Sequence, residues 1–166
     1  LMISNFINLL ISIIRVIIFK RNDNMHKEVI VLIVNDKKEI LLQKRSANKK
    51  HFPNMWAILS GHVENESFEE AAIREVKEEL DLKIESNELK SLAEKDIVKD
   101  GNRHITKYYL LISNKGVNDF TIQKEELSEV KWFNIEYVIE LLEKKDENFV
   151  YSDKILELMK EIRNNL

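Results

Sequence analysis

The segment 67–80 constrains the fold of this chain more than any other part of its 166 residues. Ser67 is a favourable helix N-cap, and Glu70 follows three residues later, so the two side chains can form a capping box at a helix start. Val76 and Leu80 are four residues apart, which places both side chains on one face of a helix. The segment therefore predicts an amphipathic helix whose apolar face packs against a core.

The other face of this predicted helix is acidic. Glu75, Glu78 and Glu79 are spaced i, i+3 and i+4, so their carboxylates cluster. Like charges this close raise one another's pKa unless a cation neutralises them, and oxygen-rich clusters suit Mg²⁺. From the spacing alone two interpretations stay open: a metal site, or a solvated face with salt bridges to Arg74 and Lys77.

Short β-branched runs surround the helix and predict a sheet. The predicted strands are 28–34, 39–43, 56–59, 89–98, 104–113 and 130–133, and helical apolar spacing recurs at 135–143 and 154–162. The pair Asp100-Gly101 predicts a hairpin turn between two of these strands. The order of strands, one helix, strands and further helices favours a mixed α/β sandwich over an alternating parallel fold.

Charge and cysteine content exclude several classes of protein. The formal net charge is −3, which argues against a dedicated nucleic-acid binder and requires a cation to mediate binding of an anionic substrate. There are no cysteines, which excludes disulfides, thiolate metal sites and cysteine catalysis. The absence of cysteine is compatible with a reducing compartment, and we expect a cytoplasmic protein.

The first 24 residues differ in composition from the rest. Residues 1–19 are almost continuously apolar, although Arg15 interrupts the run. Three interpretations stay open: a dispensable extension translated from upstream DNA, a membrane or partner-binding helix, and an extra packed element. Because Met25 opens a unit of ordinary domain length, we expect an N-terminal extension at 1–24 and a domain at 25–166, with membrane contact only if the apolar run is a real anchor.

The stretch SGHVENESFEEAAIREVKEELDL, residues 60–82, resembles the Nudix box, whose pattern is G-x5-E-x7-R-E-U-x-E-E-x-G-U with U an aliphatic residue. The matching positions are Glu66, Arg74, Glu75, Val76, Glu78, Glu79 and Leu82. The resemblance implies a Nudix-like α/β/α sandwich with a mixed β-sheet. It also implies Mg²⁺ or Mn²⁺ as cofactor, and hydrolysis of a nucleoside diphosphate linked to another moiety.

The resemblance also implies roles for individual residues of the box. Glu75 and Glu79 would be the leading metal ligands, and Glu78 a further ligand or the base acting on water. Glu66 would be an outer ligand or a brace for the loop, and the backbone carbonyl of Ser60 would face the metal. The metal would orient the diphosphate, neutralise its charge and lower the pKa of a water.

Further candidates lie outside the box. Family members often add an acid from a later loop, and Glu126 is the candidate here. A basic set before the box, Lys44, Arg45 and Lys50 with Lys49, would grip the diphosphate. The alternative is an exposed loop whose charges serve solubility.

The sequence departs from the family pattern at three places. The first glycine of the pattern falls on Ser60, and an alignment on Gly61 instead makes the loop before Glu66 one residue short. Where the family pattern has a glycine after the helix, this chain has Asp81, which must then adopt the left-handed conformation of a C-cap. The shortened loop could move Glu66 away from the metal.

Two other functions compete with hydrolysis. Segments 41–46 and 50–56 look like the family branch nearest to isopentenyl-diphosphate isomerase, but that isomerase needs a cysteine where this chain has Ser60. The second competitor is a non-catalytic module that senses a nucleotide, which the shortened loop favours and the intact acidic residues oppose. We expect a small-molecule diphosphate substrate and no nucleic acid, and the sequence leaves a homodimer open.

Overall fold

A mixed seven-stranded sheet lies between helices in the computed structural model, which describes residues 25–165. The strands are β1 (Met25–Val34), β2 (Glu39–Arg45), β3 (Trp56–Ala57), β4 (Leu59–His62), β5 (Leu89–Lys99), β6 (Asn102–Ile112) and β7 (Leu127–Asn134). The helices are α1 (Phe68–Leu80), α2 (Ile135–Glu143) and α3 (Asp153–Asn165). The interpretations of segment 1–24 fall outside the described residues. Between residues 25 and 165 no helix is long and apolar enough to cross a bilayer.

Strand β1 is the centre of the sheet. It pairs in parallel with β6 along its whole length, from Met25 opposite Arg103 onward, and antiparallel with β4 from Glu28 opposite His62. Its last residue, Val34, pairs antiparallel with Ile40 of β2, and β2 in turn pairs antiparallel with β3 and β7. The sheet is therefore mixed, as the order of elements predicted.

Both faces of the sheet are covered, which gives the molecule two apolar layers. Val29 and Val31 of β1 pack with Val76 of α1 on one face. Ile30 and Leu32 pack with α2 and α3 on the other. From Val29 to Val34, β1 is buried on both faces, so its sequence there is continuously apolar instead of alternating. This arrangement is the expected α/β/α sandwich.

Helix α1 is fixed at both ends by its own sequence. The Ser67 hydroxyl accepts from the Glu70 backbone N–H at 3.2 Å, and the Glu70 carboxylate accepts from the Ser67 N–H at 2.8 Å, so the predicted capping box is present. Asp81 ends the helix in the left-handed region at φ 52°, and its N–H donates to the Lys77 carbonyl at 3.0 Å. These caps fix which side chains face the sheet and which face outward.

Most differences from the predicted elements are at strand ends. Strand β1 starts at Met25 instead of residue 28 because pairing with β6 extends it into polar sequence. The predicted strand 56–59 is two strands, β3 and β4, and β7 starts at Leu127 instead of residue 130. The predicted hairpin turn is confirmed, with Asp100 at φ 51° and Gly101 at φ 78°.

Candidate active site

A cavity of about 730 Å³ lies beside the acidic face of α1. Its lining brings together residues that are far apart in the sequence: Glu75, Glu78 and Glu79 from α1, Arg45 and Lys49 from the end of β2 and the loop after it, and Glu126 from the turn before β7. Ser60 of β4 also lines the cavity. The fold thus places most of the predicted site residues around one space.

Glu79 is the most buried carboxylate of this cavity. It is 8% exposed, and its Oε2 atom has no hydrogen-bond partner among residues 25–165. Burial raises the pKa of Glu79 to about 7, against a hydrogen bond from Gln43 that lowers it. The charge of Glu75 raises this pKa further, while Lys49 and Arg45 lower it. A buried carboxylate oxygen without a partner costs free energy, which a bound cation would offset.

Glu75 lies between the helix and strand β4. Its side chain is 13% exposed, and burial raises the pKa of its carboxyl, against the effect of Arg74. A Cβ atom at Gly61 would come within 1.9 Å of the Glu75 Cδ atom, so the glycine leaves the space that this carboxyl occupies. The close approach of β4 to α1 therefore holds Glu75 in place.

Arg74 joins the loop before α1 to the carboxylates on the helix. Its Nε and Nη2 atoms donate to Glu66 Oε1 at 2.9 and 2.7 Å, and Nη1 donates to Glu75 Oε1 at 2.7 Å and to Glu78 Oε2 at 3.1 Å. The Nη2 atom also donates to the backbone carbonyl of His62 at 2.7 Å. One guanidinium therefore orients three carboxylates and the end of β4, which its planar fork of donors allows.

The donor groups suit a hard divalent cation that the substrate helps to bind. Within residues 25–165, no three acidic or histidine side chains form a complete metal site by themselves, and Arg74 holds three of the carboxylates. Mg²⁺ commonly takes one or two carboxylates and completes its shell with waters and substrate phosphates. The unpartnered oxygen of Glu79 and the adjacent Glu75 match that pattern.

Lys49 and Glu126 form an ion pair across the loop side of the cavity. The backbone supports the pair, because the Ser46 N–H donates to the Glu126 carbonyl at 2.9 Å. The predicted later acid and one of the predicted basic residues are thus in direct contact.

Three predicted residues lie away from the cavity lining. Glu66 contacts Arg74 and does not line the cavity. The Lys44 ammonium lies 5.9 Å from the centre of the Trp56 ring. Lys50 is exposed on the loop and is also absent from the lining. Among the predicted basic residues, Arg45 and Lys49 are those that the structure places at the cavity.

Some lining residues were not candidates from the sequence. Glu28 lines the cavity from β1, and Phe52, which is 54% exposed, also lines it. Tyr108 of β6, which the sequence offered as a residue that stacks on a base or packs in the core, lines the cavity as well. Gln43 contacts Glu79 from β2 and is itself buried. A polar residue within a strand that is otherwise buried is the signal that could have identified Glu28 and Gln43.

Comparison with known proteins agrees with this geometry. A family model described as the NUDIX domain matches residues 24–153. A Nudix hydrolase of Listeria innocua is 29% identical over 110 residues, which cover 65% of this chain and 63% of that protein. The chain thus spans less than two thirds of that relative's length. The nucleoside triphosphatase NudI of Klebsiella pneumoniae is 27% identical over 117 residues, covering 67% of this chain and 84% of NudI.

Solved structures share the fold. The crystal structure of the Deinococcus radiodurans protein DR0079 superposes with a TM-score of 0.65 at 23% identity, covering 82% of both chains. At this level of identity the likeness concerns the arrangement of strands and helices, and it agrees with the sandwich described above.

Proposed function

This chain belongs to the Nudix family, and from that premise we propose that it hydrolyses a diphosphate linkage in a nucleoside diphosphate joined to another moiety, with Mg²⁺ or Mn²⁺ as cofactor. Hydrolases of the family generally use divalent metals. The observation that carries the proposal is the buried Glu79 carboxylate, which faces a cavity that Glu75 and Glu78 also line. Its Oε2 atom lacks a partner in the part of the chain that the structure describes. A cation and a diphosphate bound in the cavity would offset the cost of grouping these carboxylates.

In this proposal Glu75 and Glu79 hold the cation, and the backbone carbonyl of Ser60 faces it. When bound, the cation would neutralise negative charge on the diphosphate and make a water more acidic. Glu66 acts as a brace, because its carboxylate is held by two bonds from Arg74. Arg74 in turn orients Glu75 by the 2.7 Å bond described above.

The reaction requires a general base and side chains that bind the phosphates. Glu78, whose side chain is 51% exposed at the cavity, accepts the proton of the attacking water, and Glu126 is the second candidate for this role. The water oxygen bonds to phosphorus, the bridging P–O bond breaks, and the leaving phosphate keeps the bonding electrons. Arg45 contacts the phosphates from the cavity wall.

Several expectations from the sequence stay predictions. These are a domain at 25–166 with a dispensable extension at 1–24, a cytoplasmic location, phosphate contacts from Lys44 and Lys50, a relationship to the isopentenyl-diphosphate-isomerase-like branch, and a homodimer. Expression from Met25 onward, with measurement of activity and oligomeric state, tests the first and the last of these together.

A nucleotide-sensing module is the second candidate function. The observation that favours it is the grip of Arg74 on Glu66, Glu75 and Glu78, which leaves only part of the acidic face free for a cation. A sensor would bind a nucleotide with the same cavity and leave its phosphates intact.

A hydrolysis assay separates the two candidates. The protein is incubated with Mg²⁺ or Mn²⁺ and a panel of nucleoside triphosphates, sugar nucleotides, dinucleotides and isoprenoid diphosphates. The products are separated by chromatography and quantified, because cleavage of a sugar nucleotide or a dinucleotide releases two phosphate monoesters and no free phosphate. We expect turnover that Glu79→Gln reduces roughly a hundredfold or more, the scale on which loss of one charge-stabilising group slows an enzyme. Glu69→Gln, an exposed change on the same helix, is the matched control. Binding without turnover across the panel contradicts the enzyme and supports the sensor.

A further inference from the structure

The cavity is larger than a diphosphate requires. Its volume of about 730 Å³ falls among pockets that enclose a whole small molecule of drug size. The carboxylates of α1 line one part, and Ile30, Tyr108 and Ile155 line another part on the opposite face of the sheet. The second part is apolar, so it suits a flat, weakly charged group that extends beyond the phosphates.

Glu28 is the carboxylate in this apolar part. It lies two residues before Ile30 on β1, so both side chains point to the same face. The Cα partners of Glu28 on the two neighbouring strands are His62 and Thr106. The position is half-buried, in the middle of the sheet, and backbone pairing on both sides fixes its direction.

Among residues 25–165, no donor is hydrogen-bonded to the Glu28 carboxyl. Burial raises the pKa of this carboxyl, and the charges of His62 and Arg45 oppose this. Burial is the larger cause that raises the pKa of the Tyr108 phenol, and the charge of nearby Glu28 is the second cause. A half-buried carboxyl that faces a cavity without a donor is completed by a ligand that supplies N–H groups.

We propose that Glu28 is a specificity-determining residue that accepts two neighbouring N–H donors from the base of a nucleotide, as a guanine edge presents them. This inference rests on the proposed function, because it concerns the moiety attached to the same diphosphate. A carboxylate has two acceptor oxygens and can receive two parallel N–H bonds. Hypoxanthine lacks the exocyclic amino group of guanine, and adenine presents an amino group beside an acceptor, so each supplies only one donor at this edge.

The test compares guanosine and inosine nucleotides, which differ by one amino group. With Mg²⁺ present, kcat and KM are measured for the guanosine, inosine and adenosine di- and triphosphates. We expect kcat/KM to favour guanosine over inosine by roughly tenfold to a hundredfold, the effect of one hydrogen bond to a charged group. In Glu28→Gln we expect this ratio to approach one through a higher KM for guanosine, with kcat changed less than about threefold. Glu94→Gln, a change on β5 outside the cavity lining, is the matched control and keeps the wild-type ratio.

A binding measurement separates this inference from the proposed function. Titration calorimetry with Mg²⁺ and the α,β-methylene analogues of guanosine and inosine triphosphate reports base preference without hydrolysis. If the protein hydrolyses nothing but binds the guanosine analogue more tightly in a Glu28-dependent way, the inference stands and the enzyme fails. If it hydrolyses nucleotides with equal efficiency for guanosine and inosine, or if Glu28→Gln keeps the wild-type ratio, the inference is overturned and hydrolysis stands.

Discussion

The backbone of Gly61 lies directly against the carboxyl group of Glu75. A Cβ atom at position 61 would stand 1.9 Å from Glu75 Cδ and 2.1 Å from Glu75 Oε1. Non-bonded atoms do not approach this closely, so one of the two groups would have to move. The atoms in conflict belong to the end of a flexible side chain, so Glu75 would move before the strand did. The glycine therefore sets the position of one carboxylate of the candidate site.

Gly61→Ala should consequently reduce activity more than stability. We expect the alanine to displace the Glu75 carboxylate by about 1 Å or more and to lower kcat on the order of a hundredfold, the typical cost of such a misplacement. The melting temperature and the turnover of the variant are the measurements. Gly116→Ala is the matched control, because its Cβ would meet its nearest neighbour, Asp119, at an ordinary 3.4 Å. Equal activity in both variants contradicts the role given to the contact.

The raised pKa of Glu79 makes the metal-free protein more stable in mild acid. A carboxyl with a pKa of 4.5 when unfolded and about 7 when folded binds more protons in the folded state. Its contribution is present in full below about pH 4.5 and is lost as pH rises through about 7, by about 3 kcal/mol in total. Denaturant unfolding of the protein and of Glu79→Gln across this range, with EDTA present, isolates the contribution as the difference between the two.

The same titration predicts how a metal acts on stability. Because a cation competes with the proton for Glu79, Mg²⁺ should raise the melting temperature more at pH 8 than at pH 5. In Glu79→Gln the two increments should become similar and small. An equal Mg²⁺ effect at both pH values in the unsubstituted protein would contradict a metal at this carboxylate.

Arg74→Lys should weaken both the fold and the site, although the charge is kept. A lysine ammonium cannot make the parallel bonds that Arg74 makes to Glu66 and Glu75, so we expect a loss of about 1–2 kcal/mol, or about 2–8 °C in melting temperature. Arg103→Lys changes a similar fork to Asp96 on an exposed hairpin, where solvent weakens the pair, so we expect a smaller loss. A larger loss in Arg103→Lys than in Arg74→Lys would show that the half-buried network around Arg74 contributes little.

Asp81→Gly should stabilise the protein without changing its activity. Asp81 adopts φ 52°, a region that costs free energy for residues with a Cβ, so glycine should raise the free energy of unfolding by up to about 1 kcal/mol. The change also removes the exposed ion pair with Lys77, which is worth a few tenths of that amount. Lys77→Ala measures the ion pair alone. A lower melting temperature for Asp81→Gly than for Lys77→Ala would show that backbone strain is not the larger effect.

Local chemistry made the elements of this fold predictable, whereas their ends depended on distant partners. The capping box of Ser67 and Glu70 and the turn at Asp100 and Gly101 act within a few residues, and both are present as expected. The start of β1 at Met25 depends on pairing with Arg103, which no pattern near Met25 reveals. The strand order of a mixed sheet depends on long-range contacts in the same way.

The candidate site likewise has one part that follows from local spacing and another that depends on long-range pairing. The carboxylates of α1 share one helix face, so their proximity follows from spacing alone. The position of Arg45 at the cavity, and of Lys44 beside Trp56, depends on how β2 pairs with β3, which alternation predicts only in part. Glu28 was missed because it follows the polar residues His26 and Lys27 and so looks like part of the exposed end of a strand, whereas Gln43 stands among buried residues.

The parallel pairing of β1 with β6 also determines when this chain can fold during synthesis. Met25 and Arg103 are partners although 78 residues separate them, and Ile112 is the last residue of β6 to pair. Because synthesis runs from the N-terminus, the most apolar strand is made first and must wait for its longest neighbour to emerge. Until then the backbone N–H and C=O groups on one edge of β1 are unpaired, and the nascent chain must be kept from pairing with strands of other chains. Any fragment that ends before residue 102, where β6 begins, keeps that exposure permanently.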